Sequence, residues 1–108
     1  MSISFTAKIV ASTQWCEDGK FTEPFVGLES TLDLGSSRAL RTIIKDSEDA
    51  CGSISLTYED AISWLAIAYS KSQYVLIGAC LNYLMALKPY TNNDDDSVNW
   101  VTVHVTWA

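Results

Sequence analysis

Histidine occurs once in this 108-residue chain, at His104. A single imidazole excludes a histidine-rich metal site and leaves any histidine-dependent catalytic pair with one candidate. The three cysteines, Cys16, Cys51 and Cys80, are far apart, with no CxxC and no Cys/His cluster at metal spacing. Separate free thiols fit a reducing compartment, so a cytoplasmic location is expected. Basic residues are also scarce: 7 Lys+Arg against 13 Asp+Glu, a formal charge of −6. That balance argues against direct nucleic-acid binding and against an anionic membrane surface, both of which call for a basic patch. Five scattered glycines form no phosphate-cradling loop. The first eleven residues have no base before Lys8 and alternate polar with apolar, unlike a secretory leader. No internal repeat is visible.

Against these absences stands a hydrophobic content of 48%, with only 19% of residues charged. Such a composition folds, and the length fits one domain over residues 1–108. Ile3, Phe5, Ala7 and Ile9 alternate with Ser2, Ser4, Thr6 and Lys8, and Val26, Leu28, Leu32 and Leu34 with Glu29, Thr31 and Asp33. Period-two alternation predicts half-buried strands over 2–15 and 22–34. Asp18-Gly19 between them suggests a hairpin with a long tip, and Pro24 belongs at an edge or before the second strand. Val101, Val103, Val105 and Trp107 alternate with Trp100, Thr102, His104 and Thr106, a third strand expected beside the first.

Ser37 is positioned to cap a short helix ending near Lys45 or Asp46, followed by acidic loop to Gly52. Thr57 with Glu59 and Asp60 marks another helix start. From Ala61 to Leu87 the only charged residue is Lys71, which predicts helices over 58–70 and 73–88, the second stopped by Pro89. Its apolar run, Tyr74 to Leu87, falls short of the roughly 20 residues of a membrane span. The expected class is α+β, with a small antiparallel sheet (the N-terminal hairpin plus the C-terminal strand, about three strands). About three helices pack on one face. The 73–88 helix has apolar residues on every side. It is therefore expected either to be enclosed centrally or to meet another chain, in a homodimer or against a hydrophobic partner.

No motif carries catalysis. A Cys–His pair has no local support, and the acidic run at 92–96 lacks the glycine and glutamate of a calcium loop, with Ser97 and Val103 at those places. The expectation is a protein that is not an enzyme and needs no cofactor or metal. It would act as a small acidic inhibitor of the immunity, anti-restriction or anti-CRISPR type, stoichiometrically covering a basic surface of a partner such as a nucleic-acid-binding effector or toxin. Glu17, Asp18, Asp46, Glu48, Asp49, Asp94, Asp95 and Asp96 would steer that encounter. The alternative is a structural homo-oligomer or assembly subunit. A third reading, a small enzyme or ligand-binding fold, would have a cavity between helices and sheet lined by polar groups such as His104, Asn82 and a carboxylate. Most aromatic side chains are expected in the core. Trp15, Phe21 and Phe25 sit at or beside the hairpin tip, where they would be packed down or displayed as anchors.

Overall fold

A computed structural model describes residues 3–44 and 51–108. In chain order the elements are β1 (Phe5–Glu17), β2 (Lys20–Phe21), β3 (Phe25–Gly35), α1 (Arg38–Ile43), β4 (Gly52–Thr57), α2 (Tyr58–Ser72), α3 (Val75–Ala86), a 3-10 turn at Lys88–Thr91, and β5 (Ser97–Trp107). The class is α+β, as the alternation and helix signals predict. The described residues nonetheless hold five strands, not three, in one antiparallel sheet.

The sheet order is β3-β1-β5-β4, with β2 pairing the far end of β1. The C-terminal strand does lie beside the first, in register from Phe5↔Trp107 to Trp15↔Ser97. The two further strands are β4 and the two-residue β2, and of these β4 lies outside the expected hairpin. Its Ser-Ile-Ser-Leu alternation covers only four residues, and it becomes a strand because β5 offers it an edge, from Gly52↔Trp107 to Thr57↔Thr102.

Every second residue of the central strands faces the helices. Phe5, Ala7, Ile9 and Ala11 from β1 and Val101, Val103, Val105 and Trp107 from β5 are buried there, with Leu34, Leu56, Leu65, Ile77 and Leu84. Each fully buried large side chain stabilises the fold by about 1.5–3 kcal/mol. Phe5 and Trp107 pack with ring centroids 6.1 Å apart. They are the two aromatics in the buried core. The expectation that most aromatics are internal does not hold: Trp15, Phe21, Phe25, Tyr69, Tyr74 and Tyr90 are exposed.

The caps are where the residue types place them. Leu40 N–H donates to Ser37 Oγ, and Asp60 N–H donates to Thr57 Oγ1. α1 ends earlier than expected, at Ile43. α2 runs to Ser72 and closes on Gln73 in the left-handed region, φ 50°. α3 begins at Val75 and ends at Ala86, and Pro89 falls in the 3-10 turn that follows. Central enclosure of α3 is not realised. Ile77, Cys80 and Leu84 face inward, whereas Val75, Ala79, Asn82, Met85 and Ala86 are exposed. No helix among the described residues is long and apolar enough to cross a membrane.

Candidate functional site

Burial along β1 and β3 falls steadily toward one end, so the hairpin reaches past the layer that the helices cover. The molecule is correspondingly long, 53 × 24 × 19 Å. The tip is not the long loop that was expected. Asp18 (φ 51°) and Gly19 (φ 76°) form a two-residue turn, the conformation favoured by Asp-Gly because it matches strand twist. β1 continues to Glu17 and pairs with β2 through Cys16↔Phe21 and Glu17↔Lys20. Thr22 carries the ribbon across the break before Pro24. Its N–H donates to the Trp15 carbonyl at 2.8 Å, its hydroxyl accepts from Trp15 N–H, and its carbonyl accepts from Gln14 Nε2.

This ribbon displays its aromatic side chains. Trp15 is 44% exposed, Phe21 58% and Phe25 59%. Trp15 and Phe25 stack at a tilt with centroids 6.0 Å apart. With Ala11, Thr13, Leu28 and Tyr90 they line a cleft of about 240 Å³ on the side of the sheet that bears the helices. Phe21 pairs with Cys16, the neighbour of Trp15, and so stands on the opposite side of the ribbon.

The loop before β5 lies against this tip. Cys16 N–H donates to the Asp96 carbonyl at 2.7 Å. Asn99 fastens the loop: its N–H donates to Asn93 Oδ1, and its own Oδ1 accepts from Thr13 Oγ1 at 2.6 Å. Inside the loop, Asp94 Oδ1 accepts from Asp96 N–H, Ser97 N–H and Ser97 Oγ. Those bonds, led by the Asp96 amide, hold the Asp94 carboxyl below the usual range. The run 92–96 is thus a self-bonded turn. No metal-sized group of His, Cys, Asp and Glu occurs among the described residues.

Five of the eight acids expected to meet a partner therefore lie at one end of the molecule. Glu17 and Asp18 are on the tip, with Asp94, Asp95 and Asp96 beside it, all exposed. Asp46, Glu48 and Asp49 lie outside the described residues. Two contributors at this end were not singled out from the sequence, Glu23 and Tyr90. Tyr90 arrives through the 3-10 turn after Pro89, which no periodicity signals. Glu23 stands beside Pro24 in a stretch that reads as ordinary loop.

The cavity imagined around His104 and Asn82 does not form. His104 Nδ1 lies 2.7 Å from Ser55 Oγ on the face of the sheet away from the helices, and Asn82 is exposed on α3. Cys16 is eight residues along β1 from Lys8, the residue opposite His104, which is about 26 Å of strand. Cys80 is buried, and desolvation pushes its thiol up to about 11. A roomier cleft of about 460 Å³ between α2, α3 and the 3-10 turn is lined by Tyr58, Glu59, Ile62, Met85, Lys88 and Thr91, with neither histidine nor cysteine. Comparison with known proteins adds nothing to this geometry: no family model, curated protein or solved structure matches the chain.

Proposed function

We propose that the protein works by binding another protein, with the hairpin tip as its docking end and a basic surface of the partner as the target. The reading rests on one observation above all: exposed Trp15, Phe25 and Phe21 share an end of the molecule with Glu17, Asp18 and Asp94–Asp96. Aromatic anchors inside a charged rim are the usual anatomy of a protein–protein contact. The acids accelerate encounter with a basic groove, and the rings supply desolvation once it is reached. A nucleic-acid-binding enzyme or toxin is the partner class with such a groove, and the biological role is then stoichiometric inhibition of the immunity, anti-restriction or anti-CRISPR type.

Affinity capture with the intact chain tests this reading. The expected result is retention of a basic, nucleic-acid-binding protein, lost on Trp15→Ala with Phe25→Ala and weakened by salt. Retention indifferent to both the tip substitutions and ionic strength would refute it, as would failure of the chain to retain any such protein.

A further inference from the structure

The helical layer has a second uncovered surface, and its pattern is self-complementary. α2 and α3 lie side by side and antiparallel. Tyr69 is against Gly78, and Ile62 and Met85 border the same cleft. Leu65, the middle of α2, therefore comes level with Asn82, close to the middle of α3. Outward from this pair point Ser63, Ala66 and Ile67 of α2, and Val75, Ala79, Asn82 and Ala86 of α3. The α3 residues follow the i, i+4, i+7, i+11 spacing of one continuous stripe. Val75 is 78% exposed, Met85 58% and Ile67 44%. The only charged residue between Asp60 and Lys88 is Lys71.

We propose that this face binds a second copy of the chain in a two-fold dimer. Because Leu65 and Asn82 are level, one axis crossing both helices at right angles at that height lays α2 on α2 and α3 on α3, each pair antiparallel. That single operation sets Lys71 of one copy opposite Glu59 of the other and Ser70 opposite Asp60. It also sets Asn82 opposite its own copy and Ala79 opposite Met85. An isologous contact must be complementary to itself in this way. Charge also selects the occupant. A molecule of net charge −6 repels its own copies, and this face carries no like charges at its centre and opposite charges at its two ends. Glu59 and Asp60 at one end meet Lys71 at the other, and Lys88 lies at the same end as the two acids. Ser63, Ala66 and Ala79 are small enough for the helix axes to approach to about 8–10 Å.

Sedimentation equilibrium of the full chain across the micromolar range tests the proposal. The expected result is a monomer–dimer equilibrium with nothing larger. Ala79→Glu should yield a folded monomer, shown by an unchanged circular-dichroism spectrum and melting curve. Lys71→Glu should weaken the dimer by about tenfold, and adding Glu59→Lys should restore it. These two charge variants sit on exposed positions and keep the test valid if Ala79→Glu fails to fold. Phe21→Ser, at the tip, should leave dimerisation unchanged. A chain that stays monomeric throughout overturns the proposal and leaves the face to another protein or a lipid surface. A dimer indifferent to both Ala79→Glu and the charge swap, or an assembly larger than two, also overturns it. None of these results bears on the tip.

Discussion

Single residues show how packing alters ordinary chemistry. Cys80 and Cys51 have the same side chain, yet the first is buried on the inner face of α3 and the second exposed. Burial favours the neutral thiol, so Cys80 remains protonated and shielded at mildly alkaline pH, whereas Cys51 is open to reagents in solvent. Alkylation followed by mass mapping should therefore modify Cys51 first and Cys80 only on unfolding. Gly52 is constrained differently. A Cβ there would strike the indole of Trp107, which β5 holds directly opposite in the core. Gly52→Ala should destabilise the fold by about 1–3 kcal/mol in denaturant melts, the usual cost of overpacking.

At the scale of elements, terminal residues decide where helices and loops begin. Thr57 ends β4 and caps α2 at once, its hydroxyl taking the Asp60 amide. Thr57→Ser should be tolerated and Thr57→Ala should lower stability by about 1 kcal/mol. The loop ahead of β5 is organised by a carboxylate. With its folded pKa depressed, Asp94 favours the bonded loop at pH values above the ordinary carboxylate range. That preference fades as pH falls through the depressed folded value, when protonation removes the acceptor shared by Asp96 and Ser97. The amide resonances of Asp96 and Ser97 should shift together in that acid window, and Asp94→Asn should abolish the transition. Loosening should spread to Cys16, whose amide depends on the Asp96 carbonyl.

Taken as a whole, the molecule is unevenly packed along its length. The buried core lies where helices cover the sheet, and the tip projects beyond it with rings in solvent. Stability and the proposed docking role are consequently separable. Phe21→Ser and Phe25→Ser should change the melting free energy by less than about 0.5 kcal/mol, as exposed positions do. Leu84→Ala, at a fully buried position, should cost about 2–5 kcal/mol. Equal losses from tip and core substitutions would mean that the rings pack into the fold and are not free to engage a partner.

The sequence by itself determined whatever depends on neighbours along the chain. Alternation marked β1, β3 and β5, hydroxyls marked the caps at Ser37 and Thr57, and Asp18-Gly19 marked the turn, because period, capping and positive φ are local properties. The tertiary structure decided whatever depends on residues distant in sequence. β4 is a strand because the edge of β5 is open to it, and the tip is displayed because the helices stop short of it. Asp94–Asp96 join Glu17 and Asp18 because β5 returns antiparallel beside β1, bringing residues some eighty positions apart into one hydrogen bond. The apolar character of α3 was legible residue by residue; which side stays wet was not, since only the sheet beneath it chooses the face it buries.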